Sequence, residues 1–178
     1  KVGRVLLRDF EPPGQPKRIV VAKDIFDLVG KDVASALVTA MNKVELAFGK
    51  AEEVRLLNTR EIERYPSVFR ILQGYEAWKS HGDWIVKNQP LFGPGVRERF
   101  EFASSITDSE VDEANFYRME LCKTLDAVLK DKTVLILPTT PGIAPLRNTP
   151  EKQMDTFREK IMSLTCFAGL AGVPQINL

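Results

Sequence analysis

The sequence predicts an α/β protein: a mixed central sheet covered by helices, incomplete within these 178 residues. Three observations carry that reading. Short β-branched or apolar runs alternate with long helical patterns along the chain. The run "TVLILP", Thr133–Pro138, has no polar alternation, as expected of a strand covered on both faces at the centre of a sheet. The closing stretch "LTCFAGLAGVPQINL" ends a helix on small residues and passes through Val173-Pro174 into a strand opening at Gln175.

The elements follow in order. "RIVVAKDIF" (Arg18–Phe26) leaves a turn rich in proline and glycine and is short and β-branched, which predicts a strand. From Lys31, residues Val33, Ala36, Leu37, Ala40, Met41, Val44 and Phe48 recur at spacings of three and four, predicting an amphipathic helix closed by Gly49. "AEEVRLLN" (Ala51–Asn58) reads as a second strand. A cap at Asn58 or Thr59 then opens helical sequence. Pro66 divides it into a short turn and a longer helix from Ser67 to about Ser80, because proline removes a backbone donor and crowds the preceding turn. "NQPLFGPG" is a loop that starts another helix near Val96.

The next helix has its N-cap at Thr107 or Ser109, with acidic residues in its first turn. Its apolar side is Val111, Ala114, Met119, Cys122, Leu125, Ala127, Val128 and Leu129. The strand "TVLILP", a proline-punctuated loop and a helix from Glu151 to about Ala171 complete the chain.

Bulk properties exclude some functions. A formal net charge of +1 gives no clustered basic face for nucleic acid. No apolar run approaches the roughly 20 residues of a membrane-spanning helix. Two unclustered cysteines, Cys122 and Cys166, read as reduced and buried, in keeping with a cytoplasmic protein. With a single histidine, the sequence holds no zinc-ligand spacing, so neither a metal nor a cofactor is expected. No phosphate-binding glycine motif occurs.

The residues that could carry chemistry each have a plain alternative. His81 in "SHGDW" is the one histidine available as a catalytic base, or a helix-end residue contacting backbone. Cys122 lies on an apolar stripe and reads as core, whereas Cys166, beside the small-residue turn, could face a pocket. The two glycines and arginines of "FGPGVRERF" could hold an anion or form an ordinary turn. The chain contains no catalytic constellation.

Taken together, "TVLILPTTPGIAP", the helix after it and "LTCFAGLAGVPQINL" resemble the closing half of the amidase signature family. "KVGRVLLRD" resembles the stretch after that family's nucleophile region. "FRILQGYEA" and "FGPGVRERFEFA" resemble two helices of its amidotransferase members. The wording "YEAWKSHGDWI…PLFGPGVRERF" resembles plant-type amidases of the indole-3-acetamide hydrolase kind and their chloroplast outer-envelope receptor relatives. The resemblance covers the whole chain and rests on order and spacing rather than on one motif.

It implies that residues 1–178 are the C-terminal part of a single amidase domain. The family's nucleophile serine, second serine behind a cis peptide, and lysine lie before the matched stretch, so no catalytic residue is expected here. Ser104-Ser105, the only adjacent serines, have no glycine-rich context. Also implied is a pocket wall. Phe69, Arg99 and Met162 match positions where amidotransferase relatives hold glutamine with an aromatic, an arginine and an aspartate, and Thr165 and Cys166 follow Met162 by about one turn. Met162 cannot receive an α-ammonium group, so an aryl or alkyl carboxamide is the substrate expected. The plain alternative is a surface Arg99 and a core Met162. The implied partner is a small-molecule amide, leaving room for a homodimer; the rival reading is a catalytically inactive receptor module.

Overall fold

The computed structural model describes residues 14–93 and 95–177. The segment "KVGRVLLRD" therefore lies outside the described residues.

A small parallel sheet is joined to a helical bundle through one continuous apolar core. Strand β1 (Arg18–Ala22) pairs with β2 (Glu52–Val54) on one side and β3 (Thr133–Ile136) on the other, in the order β2-β1-β3. Val20 sits opposite Glu52 and Leu135. The α/β class read from the sequence is the one observed, with every described pairing parallel.

The centre of the sheet differs from expectation. β1 occupies it, and Ile19, Val20 and Ala22 are buried. Among the described residues β3 pairs on one side only and Val134 is 44% exposed. Its run is apolar on both faces; Leu135 and Leu137 pack against the core and Pro138 is buried.

The strands are also shorter than expected, for a visible reason. After Ala22 one helical turn, α1 (Lys23–Phe26), buries Asp24 and Ile25. The backbone N–H groups of Leu56 and Leu57, which would extend β2, donate instead to Asp24 Oδ2 at 3.0 and 2.8 Å. The chain leaves the ladder where those donors turn away.

Helix α2 (Lys31–Phe48) crosses from β1 to β2 and ends at Gly49, whose φ of 95° suits glycine. No residue of α2 is buried. Val33, Leu37, Met41 and Val44 are half-buried, while Ala36, Ala40 and Phe48 are exposed. The predicted stripe is present, but no described helix packs broadly on it.

Helix α3 (Thr59–Asn88) runs 30 residues without a break at Pro66, contrary to the predicted division. Asn58 caps it reciprocally: its Oδ1 accepts from Glu61 N–H at 3.1 Å, and Glu61 Oε2 accepts from Asn58 N–H at 2.7 Å. Buried Ile62, Tyr65, Val68 and Leu72 form one stripe across the proline. Proline costs one backbone hydrogen bond, and the packing on both sides of it keeps the axis continuous.

Helices α4 (Val96–Ser105), α5 (Asp108–Val128) and α6 (Glu151–Ala171) all pack on α3, and α5 packs on α6. Thr107 and Glu110 form a second capping box at the start of α5. The buried face of α5 is Val111, Ala114, Leu121 and Leu125. Met119, expected inside, is 56% exposed, Cys122 is half-buried, and Leu121 is the residue buried in the core instead. Helix α6 ends at Gly172, in the left-handed conformation with φ 67°. Arg118 of α5 donates from Nε to Leu170 O at 2.7 Å. Residues 173–177 form no strand, and Leu178 lies outside the described residues.

Two buried groups make stability depend on alkaline pH. Burial pushes the Tyr65 hydroxyl up to about 12 and the Cys166 thiol up to about 12, from ordinary values of 10.0 and 9.0. Both stay neutral in the fold while the unfolded chain ionises first. Their stabilisation is full below pH 9 and is lost as pH rises towards about 12. Urea midpoints measured across that window should fall, and Cys166→Ala should remove the part that begins near pH 9. Leu121→Ala should cost about 2–5 kcal/mol in the same titration at neutral pH, as for other buried leucines; a loss under about 1 kcal/mol would place Leu121 outside the core.

Candidate substrate-wall site and related proteins

Of the residues expected to line a pocket, Phe69 stands on α3 and Met162, Thr165 and Cys166 stand on α6. Helices α3 and α6 pack against each other. Met162, Cys166 and Gly169 follow one another at spacings of four and three, which puts them on one side of α6. Phe69 meets that side at Gly169: a Cβ on the glycine would lie 3.1 Å from Phe69 Cε2. The glycine is what lets the ring approach the helix so closely.

The wall is apolar. Phe69 and Met162 are partly buried against the main core, and Cys166 belongs to it at 1% exposure. Its thiol stays protonated and has no nucleophile's character at neutral pH. The Thr165 hydroxyl donates back to Ile161 O at 2.9 Å. No carboxylate is contributed by this side of α6 between Ile161 and Ala171.

Arg99 stands exposed on α4, one turn before Ala103, which packs near Gly74 of α3. It has neither a hydrogen bond nor an ion pair among the described residues. That leaves its guanidinium free while placing it outside the Phe69–Gly169 contact.

The other candidates have structural occupations. His81 is exposed and meets Phe100 edge-on at 6.5 Å, and Phe100 stacks on Phe92 at 5.1 Å. Ser104 and Ser105 donate to the carbonyls of Glu101 and Phe102 at 2.8 Å each. Among the described residues no group of three or more histidine, cysteine, aspartate or glutamate side chains could hold a metal ion. No described helix is long and apolar enough to cross a membrane.

Sequence reasoning missed a separate cavity of about 610 Å³ at the ends of β1 and β2, lined by Asp24, Asp27, Leu28, Arg55–Thr59 and Ile62. None of the five expected wall residues lines it. Its one sequence signal is Asp24, the acidic residue between Lys23 and the apolar pair Ile25-Phe26 after β1. Mouth residue Asp27 pairs with both Lys23 and Arg55, and the Lys23 hydrogen bond above all holds its carboxyl below the usual range.

No family model matches the chain. Amidase 1 of Arabidopsis thaliana is 28% identical across the whole chain, which spans 49% of that protein. Outer envelope protein 64, chloroplastic, of the same plant is 25% identical, again over the whole chain and 34% of its own length. Amidase 1 of Oryza sativa subsp. japonica is 34% identical over 112 residues, covering 62% of this chain and 26% of that protein. The crystal structure of an amidase superposes on 94% of the chain with a TM-score of 0.73 at 22% identity, spanning 40% of the solved protein and showing the shared fold. The chain thus spans about half the length of the first of these relatives, or less of the others. In sequence and in fold the chain is thus similar to plant amidases and to their outer-envelope relatives, as its resemblance to the amidase signature family implies.

Proposed function

We propose that these residues form the C-terminal part of an amidase domain that hydrolyses small aryl or alkyl carboxamides, of the indole-3-acetamide kind, to acid and ammonia. On this reading the chemistry is acyl transfer through a serine, with a second serine and a lysine relaying protons, all on chain outside these 178 residues. These residues then supply scaffold and one wall of the substrate pocket. The observation that carries the reading is the apolar side of α6, Met162–Cys166–Gly169, with Phe69 laid against it. Such a wall accepts an aromatic or alkyl group and leaves an α-ammonium group unpaired, which buried charge does not tolerate. Arg99 is the one cation of the set, and it suits a polar group at the pocket rim.

A second reading has its own support. The chain is also similar over its whole length to outer envelope protein 64, so a receptor or interaction module built on the same fold is the alternative. An upstream glycine- and serine-rich segment with its nucleophile favours the enzyme, and its replacement favours the module. The enzyme reading carries a cytoplasmic location, against which the envelope names of several relatives stand.

The wall is tested by substitution in the amidase-length protein. Met162→Asp should lower kcat/KM for an apolar amide by roughly 10- to 100-fold, the scale of leaving a buried polar group unpaired. The ratio should move towards an amide bearing a free α-amino group. A ratio that stays fixed in a folded variant removes Met162 from the pocket. Gly169→Ala should raise KM for aryl amides, because its Cβ displaces the Phe69 ring by a few tenths of an ångström. The helical gain of alanine over glycine, up to about 1 kcal/mol, should keep Tm from collapsing. Unchanged KM for both aryl and alkyl amides would take the Phe69 contact out of substrate binding.

A further inference from the structure

The last turn of α6 lacks a backbone donor, and another helix supplies one. The carbonyl of Leu170 would accept from the N–H four residues on, but that residue is Pro174, which has none. The N–H three residues on, that of Val173, donates instead to Ala168 O at 3.1 Å, and the Gly172 N–H donates to the same oxygen. Leu170 is 3% exposed, so a carbonyl left unpaired there is costly. Arg118 of α5 meets it: from a half-buried side chain, Nε donates to Leu170 O at 2.7 Å. A charged donor makes the stronger form of this bond, and a cation suits the negative end of a helix.

The residue before Leu170 is Gly169, on which the Phe69 ring of α3 lies. Two consecutive residues of α6 are therefore held by two different helices, Gly169 by the ring and Leu170 by the guanidinium. A helix end with an unpaired carbonyl frays or tightens into a 3₁₀ turn, and either change rotates the residues it carries. Gly169 would then turn away from Phe69, and any residue turned towards the ring in its place brings a Cβ that the contact has no room for. We infer that Arg118 is a positioning residue for the apolar wall: by holding Leu170 O it fixes the rotation at which Gly169 meets Phe69. The inference rests on the function proposed above, in which that wall receives the aryl group of the amide. Arg118 acts through Leu170 and needs no contact with the substrate.

Two substitutions separate the donor from the bulk of the side chain. Glutamine carries a nitrogen at the chain position of arginine Nε, so Arg118→Gln keeps an N–H there, whereas Arg118→Met keeps the length without it. In the 178-residue chain, amide exchange at Gly172 and Val173 should accelerate by roughly tenfold or more in Arg118→Met and stay near native in Arg118→Gln. The Phe69 ring resonances should shift in Arg118→Met alone, and the amides of buried Leu72 and Leu121 should keep their protection in both. In the amidase-length protein, KM for benzamide should rise roughly tenfold in Arg118→Met with kcat nearly conserved, and Arg118→Gln should restore it. Equal behaviour of the two variants, native exchange in a folded Arg118→Met, or acceleration shared by Leu72 and Leu121, which is plain loss of stability, overturns the inference. So does an unmoved KM for benzamide beside altered exchange, since Arg118 then secures the helix end alone. A native amidase-length protein that hydrolyses neither benzamide nor an alkyl amide is a different failure: it sinks the function proposed above, and this inference with it, whatever the exchange shows. If Arg118→Met does not fold, Arg118→Gln decides, and a benzamide KM more than about threefold from native overturns the inference.

Discussion

The fold depends on burying one stripe of α3. Ile62, Tyr65, Val68 and Leu72 meet α5 and α6, and the same cluster continues through Ile25 and Ala22 into the sheet. Tyr65 touches the Phe167 ring edge-on at 5.9 Å, tying α3 to α6 near the middle of that core. Since a three-strand sheet of short strands has little stability alone, the helices hold it rather than the reverse. The axis of α3 therefore sets where the strand ends, the loops after them and the α6 wall stand.

That constraint also separates what was legible in the sequence from what was not. The caps were legible to within one or two residues, Asn58 or Thr59 and Thr107 or Ser109, as were the stop at Gly49 and the small-residue end of the last helix, because each is a local hydrogen-bonding or φ requirement written in neighbouring residues. The unbroken course through Pro66 was not, because the residues that hold it are contributed by other helices. Local periodicity likewise found the stripe of α2 but carried no information on what would cover it. The rank of the strands was misjudged for the same reason. Apolar content marks Thr133–Ile136 as suited to burial, whereas position in a sheet is decided by which neighbours the chain supplies.

The candidate sites divide along the same line. Phe69, Met162, Thr165 and Cys166 came from resemblance and spacing, and the packing of α3 on α6 gives Phe69 a specific neighbour, Gly169. Arg99 is on a neighbouring helix, without a hydrogen-bond or ion-pair partner among the described residues. Asp24 escaped notice because its role lies in a geometry no sequence pattern encodes, with one oxygen taken by the loop after β2 and the other buried without a partner among the described residues. Two chemically opposite environments result: the apolar side of α6 at Met162 and Cys166, and a buried carboxylate at Asp24.

The central proposal is that these residues supply scaffold and a pocket wall to an amide-hydrolysing domain but contain no group that attacks the amide. It is tested most directly by incubating the purified 178-residue chain with indole-3-acetamide and benzamide and measuring ammonia release against a mock-purified blank. The account predicts release indistinguishable from the blank, since His81 has no orienting partner among the described residues and Cys166 is a neutral buried thiol. Turnover above the blank that disappears in His81→Ala or Cys122→Ala would contradict it and place the chemistry within this chain.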